Sequence, residues 1–188
     1  MGSETLPNMP EVVWKVIDMQ QFGDPSSFCI EIEPADLDGQ CHFHFKANGN
    51  IIGEWAVYTL CKGCIGWAKE FLKYSRERVS TATDGETASE VFRKTYECVY
   101  VKPATISWDE TARLRRVHHM DEIGMDSFRD SFSVILVQIR NDSDWLIWRV
   151  ATSGEILSTI LPFGSVDKAL IEFVTSTFCE RSAQCAPG

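Results

Sequence analysis

Alternation of apolar and polar side chains organises the chain from residue 27 onward. In residues 27–33 (SFCIEIE), Phe28, Ile30 and Ile32 fall on one face and Cys29, Glu31 and Glu33 on the other. A period of two marks a half-buried strand. After the turn-forming PADLDG, the alternation resumes in CHFHFK, with Cys41, Phe43 and Phe45 inward and His42, His44 and Lys46 outward. The ANGN that follows predicts a tight hairpin, because Asn-Gly takes positive φ at little cost. IIGEWAVY reads as the returning strand. From about Cys61 to Arg78 the period lengthens: Ile65, Ala68, Phe71, Leu72 and Ser75 share one helical face, with Glu70, Lys73 and Glu77 opposite. Upstream, VVWKVIDM (12–19) reads as a first strand.

The middle of the chain is less regular. Residues 79–90 (VSTATDGETASE) read as a surface loop, residues 87–96 as a short helix, and Lys102-Pro103 ends that helix at the latest. Residues 113–120 (RLRRVHHM) read as a strand, followed by the acidic DEIGMDSFRD. Three further strands are predicted at 131–140, 145–152 and 155–161, separated by NDSD and SGE. The last element, 166–178, is an amphipathic helix with Val166, Ala169, Leu170, Phe173 and Val174 on one side. The tail, 180–188, is expected to fray.

Two stretches share a layout. Residues 27–78 and 131–178 each run through strands, a hairpin, a strand and a helix. Ser27-Phe28 recurs as Ser131-Phe132, Gly49 as Gly154, and Glu70-Phe71 as Glu172-Phe173, at offsets of 104, 105 and 102. This predicts an α+β fold, an antiparallel sheet with helices packed on one face, in a single domain over 1–188. Two β-β-β-α repeats would generate it.

The register also bears on the stretch between Cys41 and Cys64, where three cysteines and two histidines fall within 24 residues. Cys41, Phe43 and Phe45 correspond to Leu146, Trp148 and Val150, and Cys64 to Val166. Sulfur here occupies slots that hold plain apolar side chains in the second half, so it reads as small core filler. The alternative is a zinc- or thiol-dependent enzyme using His42, His44, Cys61 and Cys64. Against it, Cys41 points away from the two histidines on a strand, and CKGC follows an antiparallel hairpin and not a βαβ unit. No cofactor is expected.

Formal charge is −9 and the sequence pI about 4.9. Such a surface repels nucleic acid and anionic lipid and suits a basic protein partner. No apolar run reaches the length of a membrane span, and MGSETLPNMPEVVW shows no basic region followed by an apolar stretch. Seven cysteines scattered among apolar neighbours suit a reducing cytoplasm. His118-His119 beside Asp121-Glu122 is the remaining acid–base candidate, but on a strand the two rings would face opposite sides. Binding has better support. Asp121, Glu122, Asp126 and Asp130 concentrate four carboxylates in ten residues beside Met125 and Phe128, an acidic patch with apolar anchors. Trp55, Trp108 and Trp145 fall at strand ends or in loops; buried packing is the default for each, and partial exposure is the alternative.

FHFKANGNIIGEW with its helix, and HHMDEIGMDSFRDSFSVILVQIRNDSDWLIWR with its strand and final helix, resemble a bacterial immunity protein of the polymorphic-toxin type. The resemblance runs from Ser27 to Phe178. It implies a small cytoplasmic α+β protein, encoded beside a secreted toxin, that binds the toxin tightly and blocks it without catalysis. It carries no toxin-contact residue over to this chain. Self-association through an exposed sheet edge is a third expectation to test.

Overall fold

The computed structural model describes residues 19–34, 39–54, 58–80, 85–100, 106–123, 126–139 and 142–176. The strand expected at 12–19 and the tail at 180–188 lie outside them, apart from Met19. The first sheet is antiparallel, with β1 (Gln20–Asp24), β2 (Phe28–Pro34), β3 (Gln40–Ala47) and β4 (Asn50–Ile52) in that order, and β5 (Tyr58–Leu60) also pairing with β3. Asn48 and Gly49 both take positive φ, 44° and 82°, as the two-residue hairpin demands.

The returning strand is broken by a bulge. Phe45 faces Ile52 and His42 faces Tyr58, so the register with β3 shifts by three residues between β4 and β5. Gly53 makes the bulge fit. Its φ is 131°, and a Cβ there would lie 2.8 Å from the His44 Cβ and 3.0 Å from a ring carbon of Phe128.

Helix α1 (Cys61–Lys73) follows, then a 3-10 turn at Ser75–Glu77. A two-residue strand, β6 (Val79–Ser80), falls where a loop is expected and pairs parallel with β7 (Phe132–Ile139). The rest of the second sheet is antiparallel: β7, β8 (Ser143–Val150) and β9 (Ile156–Pro162). These are the three strands read from alternation. Helix α2 (Ala88–Phe92) opens on a capping box between Thr87 and Glu90 and continues through a π-helical turn at Arg93–Glu97 into α3 (Cys98–Tyr100).

Residues 113–120 are a correction. Residues 113–118 belong to α4 (Trp108–His118), not to a strand, and His119 beyond it makes only an isolated antiparallel bridge to Ile135. Ser107 caps the helix by accepting from the Glu110 N–H at 3.2 Å, and Asp109 and Glu110 sit at its N-terminus and Arg115, Arg116 and His118 at its C-terminus. Both ends match the helix dipole. The short apolar sequence VHHM mimics alternation, but the signals around it are those of a helix. Part of the acidic run is helical too, as α5 (Asp126–Ser131).

Helix α6 (Ser165–Thr175) closes the fold. Buried Asp144 on β8 accepts from the Val166 N–H at 3.3 Å and so supplies the helix start with the acceptor that Gly164 lacks. One core cluster draws on both halves: Phe28, Ile30, Phe43 and Phe45 from the first sheet, Leu136, Leu146 and Trp148 from the second, and Cys64, Phe71, Val166 and Phe173 from α1 and α6. The second sheet is covered on its other face as well, where Val91, Phe92 and Tyr96 pack on Ile135, Val137 and Ile147. That sheet therefore carries helices on two faces and not one.

Two sheet edges are guarded. The Asn48 side chain donates to the Ile160 carbonyl and the Thr159 hydroxyl on β9, and the Glu172 carboxylate accepts from the Gly23 N–H on β1. Occupied edge groups oppose strand addition from a second copy.

Candidate functional site

The four residues of the metal-site alternative do not assemble. Cys61 and Cys64 enter the core from α1, whereas His42 and His44 lie on the opposite face of β3 from Cys41. His42 packs on Tyr58 with ring centroids 4.3 Å apart. His44 is buried, with Nε2 2.5 Å from the Glu31 carboxylate. Burial lowers the pKa of His44, so the neutral ring donates that hydrogen bond. Glu31 also accepts from Gln21 at 2.5 Å and lies 3.6 Å from the Lys46 ammonium. Burial pulls its carboxyl upward, but the His44 and Gln21 hydrogen bonds prevail and hold it below the usual range.

The thiol that joins Cys61 and Cys64 is Cys41, across from α1 on the core side of β3. Hydrogen bonds to those two thiols, reinforced by burial, push Cys41 far above the ordinary thiol range. Cys64 also reaches the Thr59 hydroxyl at 3.7 Å. A protonated thiol is neither nucleophile nor metal ligand. Among the described residues no group of three or more His, Cys, Asp or Glu side chains is placed to hold a metal ion.

The two adjacent histidines also separate. His118 Nδ1 meets the Leu136 carbonyl at 2.9 Å, and burial brings its pKa down to about 4. His119 is fully enclosed. It stacks on Tyr96 at 5.0 Å, reaches the Thr95 carbonyl at 3.2 Å, and is pulled down to about 3 by burial. Its Nδ1 lies 3.7 Å from Asp121, which is itself fully enclosed.

The acidic run does not form one open patch. Asp121 is buried, and Phe128 packs into the core edge-on to Phe45 at 5.8 Å. Glu122 is half-buried and held by Arg115 through two hydrogen bonds of 2.9 and 2.8 Å, with the Tyr100 hydroxyl as a further donor. Asp130 is exposed. Met125 and the side chain of Asp126 lie outside the described residues. The charged and apolar residues of the run do not sort by exposure, since Asp121 and Ile123 are both fully enclosed.

The open surface is instead built around α4. Trp108 is 81% exposed, the most exposed large apolar side chain among the described residues. Of the other two tryptophans placed at strand ends or in loops, Trp145 is half-buried against the second core cluster and Trp55 lies outside the described residues. On one side of α4 a cleft of about 330 Å³ opens between Ala112, Arg115 and Arg116 and an aromatic floor of Trp67 and Phe71, whose rings stack at 5.3 Å. On the other, about 340 Å³ lies between Trp108, Thr111 and Arg115 and the side chains of Tyr100 and Ile106. Arg115 lines both. The signal for this surface was present in the sequence as S-x-x-E at Ser107 and Glu110, ahead of a charged helix whose exposed residues recur every three or four positions.

The family model described as Immunity protein 42 matches residues 17–176. The chain belongs to that family. The match spans every strand and helix from β1 to α6, so the hairpin, the α4 surface and the core of this immunity protein all lie within it. No curated protein and no solved structure matches the chain. No helix among the described residues of the immunity protein is long and apolar enough to cross a membrane.

Proposed function

We propose that this immunity protein acts in the cytoplasm as a stoichiometric, non-enzymatic inhibitor that binds one cognate protein toxin and blocks it. The family match over residues 17–176 carries the reading. The charge of −9 supports a basic toxin surface, because opposite fields speed encounter. Of the acidic run, exposed Asp130 and half-buried Glu122 remain suited to contact, at the rim of an interface whose centre is apolar.

The test is co-expression with the product of the neighbouring toxin gene. Protection of the host, together with a one-to-one complex on size exclusion, is expected. A purified protein that leaves toxicity unchanged would overturn the reading.

A further inference from the structure

Resting on the toxin-binding reading, we infer that the toxin docks on α4, with Trp108 as its central contact and the cleft floored by Trp67 and Phe71 receiving a large apolar side chain of the toxin. A tryptophan 81% exposed is out of place on a surface with no partner, since burying it would remove a large apolar area from water. The surroundings favour occupation. Trp, Tyr and Arg are the side chains that dominate binding energy at interfaces, and Trp108, Tyr100, Arg115 and Trp67 lie together along the two clefts.

The surface is also held in place before binding. Glu122 fixes Arg115 through two hydrogen bonds, and the Tyr74 hydroxyl accepts from Arg116 at 3.3 Å. Side chains already ordered lose little further freedom on association. At the other end of the helix, Val117 is buried and His118 is bonded to β7, so the ridge cannot swing freely.

Charge fits the occupant at the start of α4. Asp109, beside Trp108, is exposed on a chain of net charge −9, whereas Glu70 at the cleft rim is paired with Lys73, and Arg115 and Arg116 line the cleft itself. A toxin surface that sets a basic side chain against Asp109 and projects one aromatic or long aliphatic side chain into the cleft meets both.

Binding of catalytically inactivated toxin by calorimetry and surface plasmon resonance tests this. Trp108→Ala leaves the fold intact because the ring contributes little to the core. It should raise Kd at least tenfold, mainly through faster dissociation. Asp109→Lys should slow association at low salt, and Ala112→Trp, which fills the cleft, should weaken binding as Trp108→Ala does. Ile171→Ala, an exposed apolar position on α6, should stay within twofold of the wild type. Wild-type protein that binds and protects while Trp108→Ala and Ala112→Trp bind equally well would overturn the docking site and leave the immunity reading standing. Wild-type protein that neither binds nor protects would overturn both.

Discussion

The guanidinium of Arg78 lies 3.8 Å above the centre of the Phe71 ring, and its side chain is wholly enclosed. Nε donates to the Val117 carbonyl at 3.1 Å, Nη2 to the Phe71 carbonyl, and Nη1 to the Asp167 carboxylate. One side chain therefore ties the end of α1, the end of α4 and the first turn of α6. Burial lowers its pKa, and the charge of Asp167 offsets that, so the group stays cationic.

Removing one partner of a buried ion pair leaves the other uncompensated and typically costs about 3 kcal/mol or more. Arg78→Met also removes a donor from each of two carbonyls, those of Val117 and Phe71. The expected outcome is a loss of about 3 kcal/mol in urea unfolding. Arg78→Lys should recover only part of it, because an ammonium cannot reach all three acceptors in the same plane. A change under about 0.5 kcal/mol for Arg78→Met would show that the network adds nothing.

Acid should destabilise the fold earlier than carboxylate titration predicts. His118 and His119 are held down at about 4 and about 3 by burial, against about 6.5 in an unfolded chain. Below pH 6.5 the unfolded chain takes up protons that the folded chain refuses. The stability these neutral rings contribute is complete above that point. It is lost as pH falls toward 4 for His118 and 3 for His119, at up to about 1.4 kcal/mol per pH unit for each ring. His44, also lowered by burial, acts in the same direction. Urea melts at pH 7.5 and 5.5 should differ by more than about 1 kcal/mol, and His118→Gln should shrink that difference. Equal stability at the two values would mean that the rings are open to protons.

Most of the framework was legible before any coordinates. Alternation located β2, β3, β7, β8 and β9, and helical spacing located α1 and α6, because each buries a single well-defined face. Asn48-Gly49 fixed the hairpin by local chemistry. What failed was the part whose character depends on distant partners. Residues 113–118 look like a strand because few of α4's positions are buried, and the helix rests on its caps and charges. Phe128 and Asp121 read as surface because no local pattern reveals that they pack against Phe45 and His119. The surface candidate was missed for the same reason: a single tryptophan carries no period, and its clefts need α1 and α3 as second walls.

The cysteines should report burial and not reactivity. Cys29, Cys41, Cys61 and Cys64 are enclosed, whereas Cys98 is only partly covered. Burial brings Cys29 up to about 11, and Cys41 is held far higher by its two thiol neighbours. Alkylation of the native protein at pH 8, mapped by peptide mass spectrometry, should label Cys98 well before these four. They should react only at the rate at which the chain opens, and fast labelling of Cys61 or Cys64 would contradict the packed-filler reading. Cys41→Ala should cost about 1 kcal/mol from lost packing and leave toxin binding unchanged.

Gly53 offers the sharpest test of the bulge, since two effects act there together. At φ 131° a side chain is strained whatever the space, and its Cβ would press on both His44 and Phe128. Gly49, at φ 82°, has no atom within 4 Å of the added carbon, so the same substitution there meets strain alone. Gly49→Ala should therefore cost about 1 kcal/mol and Gly53→Ala at least about 2 kcal/mol, measured by chemical denaturation. The bulge matters to the site because Phe128, which a Cβ at residue 53 would press, packs on Phe45, and Phe45 lies 6.1 Å from the Trp67 ring at the cleft floor. Gly53→Ala should therefore weaken toxin binding as well as lower stability, whereas Gly49→Ala should affect stability alone. Equal binding by the two variants would show that the cleft floor is set by α1 independently of the sheet beneath it.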